Sequence, residues 1–300
     1  MANLELRGAG TALVTPFTSD NKLDLEKIKF LAERQITNGI DMLIPCGTTG
    51  ETVNLSMEEY EAVVATVVET ANKRVKVIAG SGTNSTKKTI EMSKVAEKLG
   101  VDGLLVVGPY YNKPTQEGYY QHFKTVADAV NTPIVMYNVP GRTGSNIDAA
   151  TQLRIAGIDK VVATKEASGN LPQNMAIVMN KPDGFSVLSG DDNLVLAQLA
   201  IGMDGVVSVA ANEVPGEFSQ MVHAALDGNF TRAREIHYRL LNLLDLNFIE
   251  SSPAPVKTAM AMMGLIEETF RLPIVPLQDE NKKKLRSALI ELGLIKTATA

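Results

Sequence analysis

The chain of 300 residues has no tryptophan, one cysteine and three histidines. A single thiol, Cys46, excludes an intramolecular disulfide and leaves no cysteine cluster for zinc or an iron–sulfur group. His122, His223 and His237 lie far apart, with no i, i+4 pair and no acidic companion motif, so metal catalysis is not expected. The net charge is −5 and no dense Lys/Arg stripe is present, which argues against a nucleic-acid partner; Lys282-Lys283-Lys284, the only basic run, reads as a solvated helix face. No apolar run approaches the ~20 residues that span a bilayer. Met1 to Gly10 also lacks the basic start and apolar centre of a signal peptide, so a cytoplasmic protein without a membrane partner is expected.

What is present is an alternation. Short β-rich runs occur at Ala12 to Thr15, Met42 to Pro45, Val75 to Ala79, Gly103 to Val107, Ile134 to Tyr137, Val161 to Thr164, Phe185 to Leu188 and Gly205 to Val209. Helical periods separate them, as at Leu25 to Asn38, Met57 to Asn72, Thr86 to Leu99 and Gln116 to Val130, with Asp24 as a cap and Ser56 to Glu59 as a capping box. Eight strand-helix units predict an α/β fold, the (β/α)8 TIM barrel, for which ~250 residues is typical. The rival, a doubly wound open sheet, normally carries a Gly-rich turn after its first strand, whereas Pro16-Phe17-Thr18 stands here. After Val209 the pattern becomes helix alone, at Glu213 to Leu226, Thr231 to Leu246, Pro255 to Met263 and Asp279 to Leu292. The expected division is a barrel over 1–228 carrying the active site and a small C-terminal helical appendage over 229–300.

In such a barrel the carboxyl ends of the strands share one face, where catalytic groups gather. The sixth strand runs from Val161-Val162-Ala163-Thr164 into Lys165. Lysine is almost never buried without a partner or a use, and burial lowers its pKa toward neutrality, making it a nucleophile for carbonyl substrates. A lysine just past a strand end that snorkels to water is the plainer alternative. After the second strand, Gly47-Thr48-Thr49-Gly50-Glu51 offers amides and hydroxyls suited to a carboxylate, or simply a loop satisfying itself. Five of the seven tyrosines lie between Tyr110 and Tyr137, and Tyr137 ends the fifth strand, where a phenol can pass protons. Arg142 follows in what reads as a rigid loop able to present a guanidinium fork, or as a surface arginine. Gly190 would let backbone approach a ligand, and Asp191 or Asp192 could cap the next helix. Cys46 reads as a small buried hydrophobe.

Gly47-Thr48-Thr49-Gly50-Glu51, Pro109-Tyr110-Tyr111-Asn112, the Tyr137 to Thr143 run, Lys165-Glu166-Ala167 and Leu188 to Asp192 fall in order at successive strand ends. In these motifs, and over nearly its whole length, the chain resembles the dihydrodipicolinate synthase and N-acetylneuraminate lyase family. The resemblance implies a class I aldol enzyme without a cofactor, condensing pyruvate with L-aspartate 4-semialdehyde to 4-hydroxy-tetrahydrodipicolinate on the route to diaminopimelate and lysine. It implies Lys165 as the imine lysine, and Tyr137 as proton relay linked through Thr49 to Tyr111 of a neighbouring subunit. Thr48 and Thr49 would hold the pyruvate carboxylate, Arg142 that of the semialdehyde, and Gly190 and Val207 would place carbonyls near the lysine. A homo-oligomer follows, as a tetramer of two tight dimers. Some members are inhibited by lysine between subunits; Met57, Tyr60 and Lys88 occupy the matching positions, with Asn84 and Tyr110 retained, so weak or absent inhibition is expected. The rivals are a sister aldolase for sugar acids, which Arg142 and the double threonine disfavour, and a catalytically silent barrel. A phosphate-binding isomerase lacks the Gly-rich turn it would need.

Overall fold

The computed structural model describes residues 4–296. Eight parallel strands close into a barrel: β1 (Gly8–Ala12), β2 (Met42–Ile44), β3 (Lys76–Gly80), β4 (Gly103–Val107), β5 (Ile134–Asn138), β6 (Val161–Glu166), β7 (Ser186–Ser189) and β8 (Gly205–Ser208), with β1 pairing β8. The crossovers carry α1 (Leu25–Thr37), α2 (Met57–Ala71), α3 (Thr86–Lys98), α4 (Gln116–Ala129), α5 (Pro140–Thr143), α6 (Ala149–Ala156), α7 (Leu171–Asn180) and α8 (Val195–Ala200). Four more, α9 (Pro215–Leu226), α10 (Phe230–Leu246), α11 (Ala254–Met262) and α12 (Asp279–Glu291), complete the described chain.

The helix starts follow the expected chemistry. Asp24 accepts the Lys27 amide, and Ser56 and Glu59 form a reciprocal capping box, each cap contributing about 1 kcal/mol. The first strand departs from expectation: it is Gly8–Ala12, not Ala12 to Thr15. The β-rich look of Leu13-Val14-Thr15 misled, because the ladder instead uses small residues. A side chain at Gly10 would meet the Ile44 methyl at 2.8 Å and the Val206 carbonyl at 3.3 Å, so packing inside the closing seam overrides strand propensity.

Side chains alternate between two apolar layers. Met42, Ile44, Ile78, Leu105, Val135, Tyr137, Leu188 and Val207 fill the barrel, while Leu43, Val77, Leu104, Ile134 and Val206 face the helices. Strand β6 carries one irregularity: Ile134 pairs with Val161 and Val135 with Ala163, so Val162 is an extra residue against β5. Leu240, Leu243 and Leu289 of the C-terminal helices share one continuous cluster with the barrel's outer layer, so both parts bury their apolar faces together. Among the described residues no helix is long and apolar enough to cross a membrane.

Candidate active site

Past its extra residue, β6 turns Thr164 and Glu166 outward and Lys165 inward. Thr164 donates to Gln152 on α6 at 2.8 Å. The Glu166 carboxylate is fully buried and accepts from the Asn138 amide (2.9 Å), the Gln152 amide (2.6 Å) and the Ser168 backbone N–H (2.9 Å). Neutral donors thus hold a buried charge, which fixes the strand end without placing a cation beside the amine.

Lys165 is 6% exposed and makes no ion pair among the described residues; its Nζ lies 4.4 Å from the Tyr137 ring centroid. Burial pulls its pKa from 10.5 down to about 8; nearby Asp192 and Asp191 oppose the shift, and Arg142 adds to it. The snorkelling alternative fails, since the residue belongs to the strand and lines a cleft. Gly190 is what makes room: a Cβ there would lie 2.7 Å from the Ala167 Cβ and 2.9 Å from the Lys165 Cε.

Two adjoining cavities, of about 210 Å³ each, open at the carboxyl ends of the strands. Thr48, Tyr137 and Arg142 line both, and Lys165, Thr49 and Gly190 line the second. Burial pushes the Tyr137 phenol up to about 12, with the Arg142 charge working against it, so the phenol keeps its proton at neutral pH. Thr48 and Thr49 both line the cavity that holds Lys165 and Tyr137. Arg142 sits on the short helix α5 rather than in a loop, because Pro140 at the first position pre-sets a helical turn. Its guanidinium has no carboxylate partner among the described residues, leaving a fork open to a ligand acid.

Val207 lies on β8 inside the barrel and is not among the residues lining either cavity. Tyr111 is 88% exposed, at φ +73°, and does not line its own chain's cleft. Tyr60 is buried, with no hydrogen-bond partner for its hydroxyl, whereas Met57 and Lys88 are exposed. Neither Asp191 nor Asp192 caps the next helix. Asp191 accepts from Gly169 N, and Asp192 accepts from the Val209 and Ala210 amides at 2.9 Å each, while burial raises its pKa to about 6. Cys46 is buried and burial pushes its thiol up, in keeping with a small hydrophobe.

Sequence reasoning missed the far wall, formed by Asn193, Asp245, Phe248 and Ser252. Asn193 donates to Asp245 at 2.9 Å, which joins the loop after β7 to α10. No local signal marks these residues; only the fold brings the C-terminal helices over the cleft.

An amine whose pKa burial lowers to about 8, next to a protonated phenol, is equipped to capture a carbonyl carbon as an imine. The class so defined is the (β/α)8 barrel with a buried lysine of lowered pKa near the carboxyl end of its sixth strand. The Dihydrodipicolinate synthetase family matches residues 5–292. The 4-hydroxy-tetrahydrodipicolinate synthase of Koribacter versatilis (strain Ellin345) is 52% identical over 99% of this chain and 99% of its own. The crystal structure of dihydrodipicolinate synthase from Aquifex aeolicus superposes with a TM-score of 0.94 at 46% identity, covering 97% of this chain and 100% of that one. The chloride-inhibited dihydrodipicolinate synthase from Acinetobacter baumannii, solved in complex with pyruvate, gives 0.94 at 41% identity over 96% and 99%. The chain belongs to the dihydrodipicolinate synthetase family.

Proposed function

We propose that this protein is a lyase of the class I aldolase type, condensing pyruvate with L-aspartate 4-semialdehyde to 4-hydroxy-tetrahydrodipicolinate in diaminopimelate and lysine biosynthesis. The observation that carries the reading is Lys165: buried, unpaired, lowered to about 8 and opening into the cleft beside Tyr137. Its neutral amine attacks the keto carbon of pyruvate, and water leaves as the imine forms. The iminium draws electrons from the adjacent methyl group, which loses a proton to give an enamine. That enamine carbon attacks the aldehyde carbon of the semialdehyde, whose oxygen takes up a proton, and the semialdehyde's own amino group then attacks the imine carbon, closing the ring and releasing the Lys165 amine.

In this reading Tyr137, linked through Thr49 to Tyr111 of a second copy, moves those protons. Thr48, Thr49 and their loop amides hold the pyruvate carboxylate, and Arg142 the carboxylate of the second substrate. Gly190 admits the lysine, and Gly190 and Val207 contribute backbone carbonyls near it. Tyr111, exposed and turned away from its own cleft, completes the site of a second copy, so the assembly is a homo-oligomer, a tetramer of two tight dimers. The barrel over 1–228 carries the chemistry and the helices over 229–300 close one wall; the extreme ends of both fall outside the described residues. The enzyme works in the cytoplasm, where Cys46 stays reduced.

Borohydride reduction with pyruvate tests the reading. A mass adduct on Lys165 that disappears in Lys165→Ala is expected, and an unmodified Lys165 at saturating pyruvate overturns it. Assaying the semialdehyde beside a sugar aldehyde then separates this reading from the sister aldolase.

A further inference from the structure

Outside the cleft the least expected group is Lys257. It lies on α11 with a fully buried side chain, and its Nζ donates to Glu51 Oε1 at 2.7 Å, itself 1% exposed. The amine also sits 4.4 Å from the Phe17 ring centroid and 5.4 Å from that of Phe270. A pair this dry costs desolvation that apolar side chains of similar volume would avoid, so stability alone does not account for it.

Glu51 ends the Gly47-Thr48-Thr49-Gly50-Glu51 loop and stands at φ +53°, a conformation that side chains other than glycine rarely take. Its backbone N–H donates to the Thr48 carbonyl at 3.1 Å, its own carbonyl accepts the Asn54 amide at 2.8 Å, and its Oε2 accepts from the Asn54 side chain at 3.3 Å. Arg271, from the segment after α11, donates to the Asn54 carbonyl at 3.0 Å and pairs with Glu59. Neither Lys257 nor Glu51 lines either cavity. Contacts therefore run unbroken from a C-terminal cation, through Glu51, to the backbone of Thr48, which lines both cavities together with Tyr137.

We propose that Lys257 and Glu51 are positioning residues, an internal ion pair by which the C-terminal helices set the carboxylate-binding loop that receives pyruvate. The inference rests on the Schiff-base reading above. Its effect falls on ground-state capture of pyruvate and not on the reactivity of Lys165, because neither residue touches the amine.

The test compares Glu51→Gln, Lys257→Met, the double variant and Glu51→Asp, reading thermal midpoint and the pyruvate concentration that half-saturates borohydride trapping. Removing one partner leaves a buried uncompensated group and lowers the midpoint by about 6 to 10 °C. Half-saturation rises about tenfold, while the adduct yield at saturating pyruvate is unchanged. The double variant recovers the thermal midpoint but keeps the raised half-saturation, a separation that a merely structural pair would not give. Glu51→Asp keeps both charges, shortens the reach by one methylene and raises half-saturation about threefold, a change of about 0.7 kcal/mol. Wild-type half-saturation in both the double variant and Glu51→Asp overturns the proposal. An absent adduct in the unaltered protein instead sinks the Schiff-base reading, and this inference with it.

Discussion

The protonation state of Lys165 makes a quantitative demand on the pH dependence of pyruvate capture. With its pKa lowered from 10.5 to about 8, about one amine in ten is neutral at pH 7, roughly 300 times the fraction for an ordinary lysine. Below the lowered pKa, the trapping rate at subsaturating pyruvate should rise about tenfold per pH unit, then level once the amine is mostly neutral. The shift also has a stability counterpart of about 3 kcal/mol. For a lysine whose folded pKa lies below its unfolded value, the unfolded chain binds more protons between about 8 and 10.5, so stability rises with pH in that window. The penalty is fully present below about pH 8 and vanishes above about 10.5. Lys165→Met should therefore raise the melting temperature at neutral pH by about 6 °C or more, and the gain should shrink as pH climbs through that window. Stopped-time trapping with mass spectrometry reads the rate and calorimetry reads the stability. A trapping rate still climbing tenfold per unit near the ordinary lysine value, or a Lys165→Met protein no more stable than its parent at neutral pH, would refute the desolvated-amine argument.

Gly190→Ala should place a methyl 2.9 Å from the Lys165 Cε, displacing the amine and cutting pyruvate adduct formation at least tenfold; an adduct rate within twofold of the parent would remove Gly190 from the site. Tyr111→Phe keeps the fold but should lower turnover about 100-fold, and mixing it with Lys165→Ala should restore part of the activity in hybrid assemblies; full activity in Tyr111→Phe alone would exclude the second-copy role. Arg142→Ala should raise KM for the semialdehyde about tenfold or more and leave pyruvate trapping near normal, measured by steady-state kinetics. Lysine at millimolar concentration should leave activity nearly unchanged, because exposed Lys88 repels a cationic effector; strong inhibition would refute this.

The strand-helix alternation made the barrel legible, because parallel strands and their crossovers impose different hydrophobic periods on one chain. Lys165, Tyr137, Thr48 and Arg142 were legible because each stands at the carboxyl end of a strand with chemistry that packing alone would not choose. Strand β1 was not, since its Gly8-Ala9-Gly10 run has poor β-propensity and is dictated by neighbours on β2 and β8. Asp245 and Lys257 sit within helices and Phe248 in the turn after α10, with nothing local to mark them, and only long-range packing brings them to the cleft wall or beneath its loop.

The supernumerary Val162 settles a question of parity. Were Val162 paired regularly with Val135, even-numbered residues would share the inner side and odd-numbered ones the outer, and the reactive nitrogen would be delivered among the helices while a carboxylate took its place. One inserted residue near the start of β6, three positions before the amine, resets that count for the rest of the strand. The chemical identity of the cleft thus depends on an irregularity that contacts no substrate.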